Sequence, residues 1–325
     1  MKIAILGAGA LGSAIGGVLT EAGNAVWLIT HNWAHVEAIN QQGLVLRSNG
    51  IDRVVKAQAA TDCIAVAKQA GVMDCVVVLV KSAQTQNAVA AALPLIGPHT
   101  AVLSLQNGLG HEDVISSIVG KQRVLAGKTY CGGQIIAPGH VICAVQGKDT
   151  HIGELGWNGG GAVSPRLQQL ANVFNAAGLQ TFVTGNIVGT MWDKLFINVA
   201  TGALSAITGL VYGDLYKQML LQETGCAAVA EAMAVARALG VRISTTDPLQ
   251  AWTKAGAGLP YAFKTSMLQT LERGARTEVD YVNGAVVREG ARLGVPTPVN
   301  QTLWACMQGL EYSLVQPTQA FKLST

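Results

Sequence analysis

The chain has little charge for its length and no long hydrophobic run. Of its 325 residues, 13% are charged and 5% aromatic, whereas 50% are hydrophobic. The mean hydropathy of +0.35 raises the question of a membrane span, but the densest apolar run, 75–80, ends at Lys81. A span needs about 20 mostly apolar residues, so we expect none. The apolar surplus is typical of a parallel sheet buried on both faces and of Ala-rich helices.

Several partner classes are disfavoured by what the sequence lacks. The net charge of +3 comes from Lys and Arg residues spread singly, so we expect no nucleic-acid binding. The six cysteines show no CxxC spacing and the six histidines no HExxH pattern, so we expect no metal site. We interpret the cysteines as buried thiols of a cytoplasmic protein. The N-terminal segment has Lys2 before apolar residues, as a signal peptide does, but Gly7, Gly9 and Gly12 favour a glycine turn after a strand instead.

The strongest motif lies in the first twelve residues. An apolar run at 3–6 leads into Gly7-Ala8-Gly9-Ala10-Leu11-Gly12, and a helix-compatible stretch at 13–21 follows. In this order the first glycine permits a tight turn, the second lets backbone approach a pyrophosphate, and the third lets helix pack on strand. The helix N-terminus attracts the anion. The motif predicts dinucleotide binding; a glycine turn in another βαβ unit is the alternative.

Strand and helix patterns alternate in the first part of the chain. Strands are predicted at 3–6, 25–29, 75–80, 101–105 and 124–126, with helices such as 35–41, 85–95 and 112–118 between them. The alternation predicts an α/β fold with an N-terminal Rossmann-type, doubly wound parallel sheet. There follow an antiparallel patch with strands at 141–144 and 150–154, a glycine-rich loop at 159–161, a helix from Ser164-Pro165 and a strand at 179–184.

Only helical periodicity remains from residue 186 onward. Helices are predicted at 187–203, 214–239, 251–257, 266–273, 279–293 and 297–314. We therefore predict a dinucleotide-binding domain at 1–185 and an all-helical domain for substrate binding and catalysis at 186–325. Whether the Ala-rich stretch at 225–239 belongs to the domain core or to a homodimer contact stays open.

Three clusters are candidates for the chemistry. Lys194 and Asn198 are four residues apart and share a helix face. Apolar neighbours at 195–197 predict a partly buried lysine with a lowered pKa, suited to proton donation, whereas an exposed lysine is the alternative. Glu278 follows Thr277 and is either functional or simply an acid in a first helical turn. Asn107 follows a buried strand, where the carboxyl edge of the sheet meets ligands.

Taken together, these segments resemble the ketopantoate reductases (2-dehydropantoate 2-reductases). The resemblance runs from residue 1 to about 300 and rests on the glycine motif, Lys81, Gln106-Asn107-Gly108, the 192–198 segment, Ser266-Met267 and the 277–284 segment. It implies NADPH as cofactor and reduction of a small branched 2-keto acid to the 2-hydroxy acid.

The resemblance also implies residue roles. Lys194 is the implied general acid, and Asn107 touches both substrate and cofactor. Glu278 contacts the cofactor and the substrate-side network. The remaining implied contacts are Lys81 along the cofactor and, on the substrate, Asn198, Ser266 and the position of Gly202.

The chain departs from the family pattern at its substrate and cofactor positions. Asparagines are common in the family where this chain has Gly202, Tyr212 and Phe263. Because apolar pockets discriminate weakly for hydroxyl groups, we expect a less hydroxylated or more apolar keto acid.

His31 stands at the family's arginine position, with no acid beside it to favour NAD. Histidine is only partly charged near neutral pH. We therefore expect an NADPH preference weaker than arginine would give and stronger at acidic pH; a plain loop residue is the alternative.

Two other functions fit the same architecture. One is a 3-hydroxy acid or opine-type dehydrogenase, since fold alone does not exclude it. The other is a non-catalytic NADPH-binding regulator. The segment around Glu278 disfavours the first. The presence of Lys194, Asn198 and Glu278 disfavours the second, because a sensor needs no acid beside a nicotinamide.

Overall fold

The computed structural model describes residues 1–156 and 163–315. The glycine-rich loop expected at 159–161 and the chain after 315 lie outside the described residues. Two compact units are found: the first holds Met1–Gln106 and Gly110–Ile187, and the second holds Asn107–Leu109 and the chain from Val188. The three residues at 107–109 therefore belong with the helical unit, although they lie inside the range 1–185.

The first unit is built on an eight-stranded sheet that confirms the expected α/β class. The strands are β1 (Lys2–Leu6), β2 (Ala25–Ile29), β5 (Gln58–Ala60), β6 (Met73–Val78), β7 (Ile96–Ser104), β8 (Val124–Thr129), β11 (Thr150–Glu154) and β12 (Thr181–Val183). Their order across the sheet is β12-β11-β8-β7-β6-β1-β2-β5. The six strands β8, β7, β6, β1, β2 and β5 run parallel, whereas β11 runs antiparallel to β8.

Helices cover the sheet and enclose apolar clusters on its faces. They are α1 (Ala10–Glu21), α2 (Trp33–Gln42), α3 (Cys63–Ala70), α4 (Thr85–Ala91), α5 (His111–Val119) and α6 (Pro165–Ala176). Alternate β1 residues enter different clusters, Ile3 and Ile5 in one and Ala4 and Leu6 in the other, which explains the continuous apolar strand. Helix α4 ends before the expected residue 95 because Pro94 cannot continue the hydrogen bonding.

A second, four-stranded sheet escaped the sequence analysis. Its order is β4-β3-β10-β9, from β3 (Leu44–Ser48), β4 (Ile51–Val55), β9 (Gly132–Ala137) and β10 (His140–Ala144). The turn between β3 and β4 is Asn49-Gly50, with φ of 51° and 80°, which is a strong hairpin signal. The sequence analysis placed the strands at 141–144 and 150–154 in one antiparallel patch, and this prediction was wrong. Both strands have antiparallel neighbours, but β10 pairs with β9 in this sheet, whereas β11 pairs with β8 in the eight-stranded sheet.

The second unit is helical, as expected. Its helices are α7 (Ile187–Thr208), α8 (Tyr212–Leu215), α9 (Met219–Ala238), α10 (Pro248–Gly256), α11 (Ser266–Glu272), α12 (Asn283–Leu293) and α13 (Pro298–Val315). The helix expected at 214–239 is divided because Gln218 is extended, with φ −98° and ψ 101°. The helix expected at 279–293 is divided at Val282. Helix α9 buries Ala228, Ala232 and Ala236 in the core of this unit.

Within residues 1–156 and 163–315, no helix combines the length and the apolar character needed to cross a membrane.

Candidate functional site

The glycine turn after β1 contains two glycines that the protein itself requires. Gly7 has a φ of 94°, and a Cβ added there would lie 2.5 Å from the backbone nitrogen of Val80. A Cβ added at Gly12 would overlap the carbonyl oxygen of Gly7. Any larger residue at either position would force apart the turn, α1 and the backbone that follows β6.

Gly9 has a different environment. A Cβ added there would meet no atom of the described residues within 4 Å, so packing does not explain the glycine. The N–H groups of Gly7 and Ala8 donate to the carbonyl of Ile29 at 3.0 and 2.9 Å, and that of Gly9 to the carbonyl of Gly7 at 2.7 Å. The open face at Gly9 therefore has the form of a cradle for a ligand group.

Donors for an anion lie just after this cradle. The first N–H groups of α1, at Ala10, Leu11 and Gly12, have no intrahelical acceptor, and no side chain caps the helix at Gly9. The positive end of the helix dipole lies at the same place. Residues 7–12 thus fit a pyrophosphate group.

Two exposed basic residues follow the two strands that flank β1 in this unit. His31 comes after β2 with no acidic residue beside it in the sequence, and the adjacent Asn32 caps α2 by accepting from the N–H of His35 at 3.2 Å. Lys81 comes after β6 and precedes the 3-10 turn Ser82–Gln84. Both positions fit the cofactor side that the sequence predicts.

Buried polar contacts hold the loop that carries Lys81. The amide nitrogen of Gln106 donates to the carbonyl of Val80 at 2.9 Å and to the hydroxyl of Thr85 at 2.8 Å. The Nε2 of His111 lies 2.8 Å from the hydroxyl of Ser82. Burial lowers the pKa of His111 to about 4, so this ring is neutral at physiological pH.

Three polar side chains meet in the second unit. The Nζ of Lys194 donates to Oδ1 of Asn107 at 2.7 Å, and Nδ2 of Asn107 donates to Oε2 of Glu278 at 3.4 Å. An ammonium only donates and a carboxylate only accepts, so the charges on either side determine the orientation of the Asn107 amide. The structure thereby joins the three residues that the sequence singled out for catalysis.

Further hydrogen bonds anchor the residues that directly precede Lys194 and Glu278. The carboxylate of Asp193, next to Lys194, accepts from the N–H groups of Ser244 and Thr245. Glu311 on α13 accepts from the N–H and hydroxyl of Thr277 at 2.8 and 2.6 Å, directly before Glu278. The sequence analysis missed Glu311, because nothing local links residues 34 positions apart.

The loop of Asn107 is anchored to Tyr281, the last residue of the 3-10 turn Val279–Tyr281 that follows Glu278. The N–H of Leu109 donates to the carbonyl of Tyr281 at 3.0 Å. Gly108 has a φ of 93°, and an added Cβ would lie 2.7 Å from the Cβ of Tyr281. The glycine after Asn107 therefore permits this close approach.

Helix α7 continues the face of Lys194 through Asn198 to Gly202, at successive four-residue steps. A Cβ added at Gly202 would lie 3.2 Å from the sulfur of Met267. Met267 is buried, whereas its neighbour Ser266 is exposed at the start of α11. Within the described ranges, no side-chain hydrogen bond links Asn198 or Ser266 to the Lys194 cluster.

Tyr212 and Phe263, which stand where asparagines are common in the family, contact each other. The rings of Tyr212 and Phe263 lie 4.9 Å apart, and the N–H of Tyr212 donates to the carbonyl of Phe263 at 2.9 Å. The hydroxyl of Tyr212 lies 2.9 Å from that of Thr201, next to Gly202. Burial raises the pKa of Tyr212, so this hydroxyl stays neutral, and the two aromatic rings add apolar surface where the family often has asparagines.

Comparisons with known proteins agree over nearly the whole chain. Residues 3–157 match the family model "Ketopantoate reductase PanE/ApbA", and residues 186–311 match "Ketopantoate reductase PanE/ApbA C terminal". The 2-dehydropantoate 2-reductase of Halobacterium salinarum is 35% identical over 93% of this chain and 96% of its own. That of Pyrococcus horikoshii is 32% identical over 96% of this chain and 98% of its own.

Solved structures show the same similarity. A PanE/ApbA family ketopantoate reductase from Ralstonia eutropha is 36% identical, with a TM-score of 0.87 over 97% of this chain and 100% of that chain. A D-mandelate dehydrogenase solved with NADH and anilino(oxo)acetate is 27% identical, with the same TM-score and coverage.

Proposed function

Because the chain belongs to the ketopantoate reductase family, an oxidoreductase family, we propose that it reduces a 2-keto acid to the 2-hydroxy acid with NADPH and with Lys194 as proton donor. The contact of Lys194 with Asn107 at 2.7 Å, completed by the contact of Asn107 with Glu278, carries the proposal. Relatives in the family bind a nicotinamide cofactor, as the D-mandelate dehydrogenase solved with NADH does.

The residues of the first unit fit such a cofactor. The cradle at Gly9 and the N–H groups of Ala10, Leu11 and Gly12 would hold the pyrophosphate. When bound, the reduced nicotinamide supplies the hydride. His31 would meet the ribose end, and the lack of an acidic residue beside it in the sequence favours a 2′-phosphate. Lys81 would add a second positive charge along the cofactor.

Lys194 would supply the proton. An ammonium carries three donors, so Lys194 can donate to a substrate carbonyl oxygen as well as to Asn107. Hydride addition at C2 places negative charge on that oxygen, and transfer of a proton from Nζ completes the hydroxyl group. Asn107 would orient the ammonium, and Glu278 would orient the Asn107 amide. Asn198 and Ser266 would bind the rest of the substrate.

The substrate side of the second unit favours an apolar keto acid. At Gly202 the face of α7 carries no polar group, and the thioether of Met267 occupies the adjacent space. A hydroxyl-bearing substrate would lose its hydrogen bonds with water there without replacement, which disfavours it. The similarity to D-mandelate dehydrogenase makes the aromatic keto acid corresponding to mandelate a second candidate.

A keto-acid panel assayed with both cofactors tests the proposal. The panel contains ketopantoate, its analogue without the hydroxyl, other branched aliphatic 2-keto acids and phenylglyoxylate, each with NADPH and with NADH. We expect turnover with NADPH and the highest kcat/KM for an unhydroxylated acid. A clear preference for ketopantoate would overturn the substrate class. No turnover with any acid would overturn the enzymatic proposal and favour a regulator.

A further inference from the structure

We propose that His35 is a positioning residue for the dinucleotide-binding turn, acting through Ser13 on the peptide between Ala8 and Gly9. This inference rests on the proposed function, because it assumes that the glycine turn binds a dinucleotide. His35 lies on α2, and Ser13 lies in the first turn of α1. Both side chains are fully buried.

The hydrogen bonds around His35 have only one consistent direction. The backbone N–H of Gly139 donates to Nδ1 of His35 at 3.0 Å. Since Nδ1 accepts, the neutral ring carries its proton on Nε2. Nε2 lies 2.9 Å from the hydroxyl of Ser13 and therefore donates to it. The hydroxyl of Ser13 donates in turn to the carbonyl of Ala8 at 3.2 Å.

This chain of contacts ends on the peptide unit that borders the cradle. Its carbonyl, from Ala8, accepts from Ser13, and its N–H, from Gly9, donates to the carbonyl of Gly7 at 2.7 Å. Because both ends are held, the peptide plane has one orientation. The open face at Gly9 and the donors at the start of α1 are therefore set before any ligand arrives.

The relay also joins three segments that are distant in sequence. Gly139 lies in the turn between β9 and β10, and β9 itself reaches the glycine turn, since a Cβ added at Gly133 would lie 2.6 Å from the carbonyl of Ala10. His35 follows the loop that carries His31, so the loop at the ribose end and the pyrophosphate turn share one buried link. A turn already in its binding geometry loses less entropy when ligand binds.

Dinucleotide titration of variants tests the relay. Ser13→Ala removes the donor to Ala8. We expect the Kd for NADPH, followed by nucleotide fluorescence, to rise about tenfold, the equivalent of about one hydrogen bond. The KM for the keto acid should stay within about twofold, because the second unit is unchanged. Thr100→Val is the matched control: its buried hydroxyl also links two backbone groups, Gly97 and Met73, but at the amino ends of β7 and β6.

Two substitutions of the histidine separate positioning from packing. Gln at position 35 places an N–H donor near the site of Nε2 and keeps the contact with Ser13, whereas Asn keeps only the acceptor for Gly139. We expect His35→Gln to bind NADPH more tightly than His35→Asn, even where thermal melting shows equal stability.

The outcomes distinguish the two proposals. If the wild type binds neither dinucleotide, the proposed function fails and this inference with it. If the wild type binds NADPH but Ser13→Ala and His35→Asn bind it equally well, the relay alone is overturned. A loss of affinity in Thr100→Val equal to that in Ser13→Ala would likewise reduce the effect to general stability and overturn the relay.

Discussion

The Nζ of Lys194 lies 2.7 Å from Oδ1 of Asn107, a residue 87 positions earlier in the chain. Both belong to the second unit, although Asn107 follows a strand segment of the first. The contact gives the ammonium a defined direction, as a proton donor in catalysis requires.

Replacing Lys194 by Ala should lower kcat by about 10²–10⁴-fold and leave the Kd for NADPH nearly unchanged. Lys194→Arg should not restore kcat, because a guanidinium does not give up its proton. Steady-state kinetics and dinucleotide titration measure the two quantities. Lys254→Ala, at an exposed lysine of α10, is the control; wild-type kcat in Lys194→Ala would contradict the assignment.

Gly9→Ala should separate ligand binding from folding. A methyl group at position 9 meets nothing in the described protein, so the melting temperature should not fall, whereas the methyl group should occupy the phosphate cradle and raise the Kd for NADPH by more than about tenfold. Gly309→Ala in α13, equally open, is the control for a harmless methyl group. Unaltered NADPH affinity in Gly9→Ala would show that the cradle holds no phosphate.

Arginine at position 31 should strengthen the preference for NADPH. The fixed charge and fork geometry of a guanidinium suit a phosphate better than an imidazole does. We expect the ratio of kcat/KM for NADPH over NADH to rise about tenfold in His31→Arg. His99→Arg, at another exposed histidine, should leave the ratio unchanged. An unchanged ratio in His31→Arg would refute the role of His31.

Gly202→Asn should shift specificity toward the hydroxylated acid. The thioether of Met267, 3.2 Å from the added Cβ, is flexible and can move, so the amide can enter the polar row begun by Lys194 and Asn198. We expect the ratio of kcat/KM for ketopantoate over its unhydroxylated analogue to rise about tenfold. Gly202→Ala adds the Cβ without the amide; if it changes the ratio equally, volume rather than hydrogen bonding decides specificity.

Glu112→Gln should change how stability depends on pH. Burial raises the pKa of the Glu112 carboxyl to about 7 from the usual 4.5, so the favourable neutral form is fully present below pH 4.5. Its contribution is lost as pH rises through 7, whereas the amide does not titrate. Between pH 5 and 8 the wild type should lose on the order of 3 kcal/mol relative to the variant. Urea unfolding measures this, with Glu37→Gln at an exposed site as control; a constant difference would contradict it.

Much of the fold could be predicted because its signals are local. The apolar run of β1, the glycine turn and the proline after Ser164 each depend on neighbouring residues, and the Asn49-Gly50 hairpin was equally readable although it was overlooked. The breaks at Gln218 and Val282 were not predictable, since both lie inside continuous helical periodicity and neither residue is a glycine or a proline.

The sequence by itself determined the glycine turn at 7–12 and the shared helix face of Lys194 and Asn198, because backbone sterics and the helical repeat act within a few residues. The sequence pattern also marked Asn107 and Glu278 as candidates, and the resemblance to a family suggested contacts with substrate and cofactor for both. Only the tertiary structure decided that Asn107 lies between Lys194 and Glu278. It also decided that Gly139 determines the tautomer of His35. Such contacts join positions far apart in the chain, and they form only when packing outweighs the entropy of closing the loops between them.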